Sequence, residues 1–187
     1  MGADAAPASE KVIVTERLEL IPATRDMIRA ALLGEHALSS SLGASVPPTW
    51  PPMYLDSASL EFALDRFEEG PAQTGWWLYF VILSRGESGR ALIGSVGYKG
   101  PPSADGTVEV GYGIVSDQHR RGYASEAVRG LLARAFSVPT VQRVVAETLP
   151  ELDASIGVLR KCGFTLTGDG SEPGVIRFEL ERAAYAM

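Results

Sequence analysis

The residues with the clearest capacity for chemistry lie in one turn, His119, Arg120, Arg121, Gly122, Tyr123, Ala124 and Ser125. From Ala124 onward, Ala127, Val128, Leu131, Leu132, Ala135 and Phe136 recur at helical spacing, which predicts an amphipathic helix with one buried face. A helix start needs partners for its first backbone N–H groups, ordinarily a Ser, Thr, Asp or Asn side chain just ahead of the apolar stripe. Here two arginines, a glycine and small residues stand in that place. Unsatisfied N–H groups, the positive end of a helix dipole and two guanidinium groups together suit an anion. A solvated turn is the plainer alternative.

The composition narrows what else the chain does. Hydrophobic residues make up 45% and charged residues 21% of the 187, a balance typical of a soluble globular protein, and no apolar run approaches the ~20 residues of a membrane helix. One domain over residues 11–187 is expected, preceded by a flexible leader at 1–10 that is small and polar. A net charge of −6 argues against broad contact with nucleic acid, and nothing points to a membrane partner. The lone Cys162 excludes an intrachain disulfide and a multi-thiolate metal site, and two histidines far apart do not suggest a metal. A reducing cytoplasm fits. Cys162 reads as packed between helix and sheet rather than as a nucleophile, since no His with Asn or Asp is recognisable as its partner.

Around the turn, the chain reads as a mixed sheet. "RLELIPA" alternates as a strand ending near Pro22, Thr24 caps a helix closed by Gly34, and "SSSLGASVPPTWPP" has a loop composition. A second helix starts at Asp56 or Ser57 and stops at Gly70. "WWLYFVIL", "RALIGSVGYKG" and "TVEVGYGIV" predict an antiparallel meander, with Trp76 and Trp77 divided between core and surface. The helix of the turn, a strand in "VQRVVAETL", a short helix in "DASIGVLRKCG" and strands in "FTLTG" and "VIRFEL" follow. The fold class is α+β around one sheet.

In this order, "TERLELIP", "IGSVGYKG", "VEVGYGIV", "RRGYASEAV" and "ASIGVLRKCGF" resemble the GNAT superfamily of acyl-CoA-dependent N-acyltransferases, in particular the ribosomal-protein N-terminal acetyltransferase branch. The resemblance implies a mostly antiparallel central sheet with flanking helices, splayed near a bulged fourth strand, for which Gly111 and Gly113 are suited. It also implies that the anion is the diphosphate of coenzyme A. The family's signature begins with Arg or Gln where this chain has His119, and the frame continues through Arg120, Arg121, Gly122, Tyr123 and Ala124. Ser125 adds a hydroxyl, and Ile114 and Val115 are expected to offer main-chain groups to the pantetheine arm.

By the same resemblance, an amine attacks the acetyl thioester directly in a ternary complex. A general base is needed, because an α-amine has a pKa near ~8 and a lysine near ~10.4. Glu109 is the first candidate and Glu147 the second; a solvated strand residue or a cross-strand partner of Arg143 is the structural alternative for Glu109. Ser155 is the candidate acid or coenzyme contact, or else the cap of its helix. Leu152 stands where the family has Asn. The implied activity is acetyl-CoA-dependent N-acetylation of a primary amine, on a small molecule or a protein N-terminus. A non-catalytic acyl-CoA-binding module and a small-molecule acetyltransferase for a polyamine, amino sugar or antibiotic are the rivals. Oligomeric state has no readable signal, a homodimer being one option.

Overall fold

The computed structural model describes residues 11–68, 75–86 and 89–185, so the leader at 1–10 and the helix stop at Gly70 lie outside the described residues. Eight strands form one sheet: β1 (Ile13–Val14), β2 (Leu18–Pro22), β3 (Leu78–Gly86), β4 (Gly89–Tyr98), β5 (Thr107–Ile114), β6 (Arg143–Thr148), β7 (Thr165–Asp169) and β8 (Ile176–Glu181). Their spatial order is β1-β2-β3-β4-β5-β6-β8-β7. All neighbours run antiparallel except β5 and β6, whose connection passes through a long helix.

The helices are α1 (Arg25–Leu33), α2 (Glu35–Leu42), α3 (Ser57–Glu68), α4 (Tyr123–Phe136), α5 (Asp153–Lys161) and α6 (Arg182–Tyr185). Two apolar layers result from strand alternation. Leu18, Tyr79, Val96, Val108 and Val110 face α4 and α5, where Val128, Leu131, Leu132 and Leu159 complete one cluster. Phe80, Ile82 and Leu92 face the other way, against Ile28 of α1, Leu38 and Leu42 of α2 and Leu60 and Ala63 of α3. Glu109, Gly111 and Gly113 alternate with Val108 and Val110 and therefore lie on the α1–α3 face.

Several local expectations hold. Thr24 Oγ1 accepts from the Met27 N–H at the start of α1, and Asp56 accepts from the Ser59 N–H at the start of α3. One does not: the serine-rich stretch read as loop begins inside α2. Leu38 and Leu42 share a buried face one turn apart, while the Ser40 hydroxyl donates back to the His36 carbonyl. Packing of those leucines overrides the weak helix preference of serine. A three-residue 3-10 helix, Ser116–Gln118, also lies between β5 and α4, ahead of the helix that the apolar spacing predicts from Ala124 onward.

Candidate active site

At the start of α4 the backbone takes left-handed conformations at Arg120 (φ 61°) and Gly122 (φ 83°). Two such residues flanking one other curl successive N–H groups into a concave row, a geometry suited to an anion. Gly122 occupies the cap position, and no side chain among the described residues caps α4. The first turn is instead braced from outside. Thr15 Oγ1 and the Arg17 N–H donate to Glu126 Oε1, at 2.6 and 2.8 Å, and Arg17 Nε donates to Oε2 at 2.7 Å. The same guanidinium donates to the Arg121 carbonyl and lies over the Tyr123 ring, 4.5 Å from its centroid. Burial opposes ionisation of Glu126, but these donors outweigh it and hold the carboxyl below the usual range. Arg121 lines a cavity of about 310 Å³ with Ser45, Leu83, Ala91, Asp117 and Gln118.

The expected splay is present. β5 and β6 pair only at Thr107, Val108 and Glu109, opposite Arg143, Val144 and Val145; beyond Glu109 the strands part. Against β4, the register of β5 is continuous from Val110 to Ile114; the nearby irregularity lies in β4, where Val81 pairs with Gly94 and Ile82 with Leu92, leaving Ile93 as the extra residue opposite β3. The Lys99 N–H donates to Glu109 O and the Val115 N–H to Ile93 O, both at 2.9 Å. Antiparallel alternation then turns the main-chain groups of Val110, Tyr112 and Ile114 away from β4, into the splay.

This geometry separates two residues that the sequence grouped together. Ile114 presents its N–H to the opening, whereas the Val115 N–H is spent on the Ile93 carbonyl. The His119 ring turns back toward β5. Its Nε2 lies 2.7 Å from the Ile114 carbonyl, and because a carbonyl only accepts, Nε2 carries the proton and the ring braces the end of β5. Ser125 is buried in the first turn of α4, with its carbonyl 3.5 Å from Cys162 Sγ. Burial pushes the Cys162 thiol up, as suits a packing residue.

Across the splay, on the α4 and α5 face, Tyr112 meets Ser155. The Tyr112 hydroxyl is 3.0 Å from both the Ser155 Oγ and the Ser155 carbonyl oxygen. Burial pushes the phenol up to about 12. Ser155 is not the cap of α5: Leu152 holds that position and contributes no side-chain bond. The hydroxyl is thus committed to Tyr112 rather than to the helix start. Tyr112 itself carried no signal in sequence, because its partner lies 43 positions away.

The carboxylates lie on the opposite face. The Lys99 ammonium pairs ionically with Glu109 Oε1, an oxygen shut off from solvent. Glu147 lies on the same face of β6, where its carboxylate accepts from the Ser171 N–H at 2.9 Å and the Ser171 hydroxyl at 2.6 Å, with Arg177 alongside at 3.7 Å. Burial works against its charge, yet Ser171, Lys99 and Arg177 together hold it below the usual carboxylate range. Glu147 is consequently a clamp for the β7–β8 connection and poorly suited to take a proton. Arg143 pairs with Asp105 and Glu181, so it is not the partner of Glu109.

Residues 17–165 match the family model described as "Acetyltransferase (GNAT) domain". The chain belongs to the GNAT acetyltransferase family. Among curated relatives, this N-acetyltransferase is 24% identical over 161 residues to the uncharacterized N-acetyltransferase YjdG of Bacillus subtilis, covering 86% of this chain and 94% of that one. Of solved structures, a GNAT acetyltransferase from Bacillus anthracis superposes with a TM-score of 0.63 at 19% identity, covering 92% of this chain and 99% of the other. RimL, a ribosomal L7/L12 alpha-N-protein acetyltransferase in complex with coenzyme A, gives 0.63 at 17% identity, with coverages of 91% and 98%. The microcin C7 self-immunity acetyltransferase MccE, in complex with acetyl-CoA and AMP, gives 0.61 at 14% identity, with coverages of 89% and 93%.

Within this GNAT fold, the tryptophans divide as anticipated. Trp76 is buried with its ring 5.0 Å from Tyr98 and Arg134 over its face, and Trp77 is half-buried at 5.7 Å from the exposed Phe62. Among the described residues, no group of His, Cys, Asp and Glu is arranged to hold a metal, and no helix is long and apolar enough to cross a membrane.

Proposed function

We propose that this chain transfers an acetyl group from acetyl-CoA to a primary amine by direct attack in a ternary complex. The observation that carries the reading is the continuity of two features: a strand whose Val110, Tyr112 and Ile114 N–H groups turn into the splay, and an uncapped helix start eight residues beyond Ile114, at Gly122. The residues present fit coenzyme A. The N–H groups at the start of α4, with Arg120 and Arg121, would hold its diphosphate, and the Ile114 N–H would face its arm. Bound there, acetyl-CoA supplies a thioester as the acyl donor.

The chain's own groups divide the remaining work between the two faces of β5. Glu109, on the α1–α3 face, receives the proton of the attacking amine. Gly111 has nothing within 4 Å of where a Cβ would stand, and Pro52 and Met53 lie over Gly113, so an open trough leads toward the splay beside Glu109. Ser155, held by Tyr112 on the other face, donates a hydrogen bond to the departing sulfur. Attack from one face and departure toward the other suit a carbonyl carbon that adds its nucleophile and expels its leaving group along different directions.

The acceptor is an amine, on a small molecule or a protein N-terminus; RimL's protein substrate and MccE's different setting belong to one fold. Turnover across a panel of polyamines, amino sugars and short peptides, detected by thiol release, tests the reading together with Glu109→Gln. The variant is expected to lose turnover while calorimetric acetyl-CoA affinity stays within about twofold. Unchanged turnover in Glu109→Gln removes Glu109 as the base.

A further inference from the structure

The trough that leads to Glu109 already holds a cation. Lys99 sits at the end of the β4–β5 pairing, and its ammonium meets Glu109 Oε1. The same ammonium also acts electrostatically on Glu147, the second carboxylate of this face. The two partners differ in how firmly they are held. The Glu109 side chain is 24% exposed, whereas that of Lys99 is 62% exposed. A long, mostly solvated side chain in such a pair is weakly fixed. A carboxylate oxygen cut off from water, by contrast, is costly to leave without a partner, so a cation beside it is favoured while it stays ionised.

The backbone at Lys99 does not depend on this contact. Its N–H donates to the Glu109 carbonyl, continuing the β4–β5 ladder whatever the side chain does. The neighbouring floor is built for approach rather than for packing: a Cβ at Gly111 would meet nothing within 4 Å, and one at Gly100 would meet the Trp77 ring at 3.6 Å. The trough therefore combines a buried anionic oxygen, a displaceable cation and open space at Gly111.

We propose that Lys99 is a tethered stand-in for the acceptor, its ammonium holding the position that the substrate's ammonium takes beside Glu109. This rests on the reading of Glu109 as the base that faces the acceptor. Binding is then an exchange of one cation for another, and the net charge beside Glu109 is unchanged both by that exchange and by the later transfer of the ammonium proton to the carboxylate. Lys99 is accordingly a specificity-determining residue. A cationic amine displaces it, and a nucleophile that arrives neutral leaves it in place and the base occupied.

Two measurements on the full chain test this, with butylammonium chloride as the probe and sodium chloride at equal ionic strength as the reference. By calorimetry, Lys99→Met and Lys99→Gln are expected to bind butylammonium at least about threefold more tightly than the unmodified chain, and Glu109→Gln at least about threefold more weakly. With lysine labelled by carbon-13 at Cε, the Lys99 resonance of the unmodified chain is expected to move during the titration toward its position in Glu109→Gln. Equal or weaker binding by both Lys99 variants, or a Lys99 resonance that does not respond, overturns the proposal. Failure of the base assignment is separate: Glu109→Gln would then retain turnover whatever the binding measurements give.

Discussion

The Tyr112 hydroxyl stands 3.0 Å from the Ser155 Oγ, joining the splayed strand to the first turn of α5 across 43 positions of sequence. The Ser155 carbonyl at the same distance can only accept, so the phenol proton and the serine proton must share the contact. When Ser155 turns its hydroxyl toward sulfur, Tyr112 can donate to Oγ and support it. Ser155→Ala and Ser155→Asp are both expected to fold and to lose at least about tenfold in turnover, ~1.4 kcal/mol in the barrier, because neither side chain offers the donor. Near-normal turnover in Ser155→Asp would exclude the proton-donor role.

Tyr112→Phe removes the phenol and keeps the ring. It is expected to lower stability by about 1 kcal/mol and kcat by roughly fivefold, with acetyl-CoA affinity nearly unchanged. The phenol is pushed up to about 12, whereas an unfolded tyrosine titrates near ~10. Both states are protonated below the unfolded value, so the contribution is intact there, and it is lost as pH rises from about 10 through 12. Denaturant titrations at intervals up to about pH 11.5 should show the unmodified chain converging downward on Tyr112→Phe. A constant gap would contradict this.

At the start of α4, Glu126→Gln loses the charge on which Thr15 and Arg17 converge. A loss of about 1–2 kcal/mol is expected near neutral pH. The folded carboxyl titrates below its ordinary range, so its contribution is present above the unfolded value of ~4.3 and disappears as pH falls through the folded one. Melting curves should therefore find the variant and the unmodified chain closest in acid.

Gly122 distinguishes strain from charge. A Cβ there meets nothing closer than the Arg17 guanidinium, at an ordinary contact distance of 3.5 Å, so Gly122→Ala costs only the left-handed backbone, about 1–2 kcal/mol. Gly122→Glu adds a negative charge to the N–H row and is expected to abolish acetyl-CoA binding in a folded protein. Calorimetry showing unchanged affinity for Gly122→Glu would move the diphosphate site elsewhere.

For Glu147, the two contacts to Ser171 predict a structural effect. Glu147→Gln is expected to lower thermal stability, by about 1–3 kcal/mol, more clearly than it lowers turnover per folded molecule. A specific loss of kcat with unchanged stability would reinstate it as a catalytic candidate.

The parts legible in sequence were those governed by local periodicity and local backbone chemistry. The apolar stripe of α4, the alternation of the meander and the uncapped start at Gly122 each follow from neighbouring residues. α2 was obscured because three serines carry the loop signal while only the spacing of Leu38 and Leu42 carries the helical one. The pairing of Lys99 with Glu109 depends on cross-strand register, and that of Tyr112 with Ser155 on how α5 returns beside β5. Position in the turn says where the His119 backbone lies, but the direction of its ring is fixed by a carbonyl five residues earlier. Direction of a side chain, rather than proximity in sequence, decided each of these cases.

The parting of β5 from β6 also bears on how the chain avoids its own kind. From Val110 to Ile114 the interior of the sheet carries an edge strand, with amides turned toward a gap instead of a neighbour. Such edges elsewhere template the addition of foreign strands. Here β6 stays hydrogen-bonded to β5 through Glu109 and to β8 along its whole length, so the gap is closed at one end and bounded on its far side. A substitution that frees Arg143–Val145 from Thr107–Glu109 would turn the wedge into a full-length edge, and aggregation, rather than loss of chemistry, would be its first symptom.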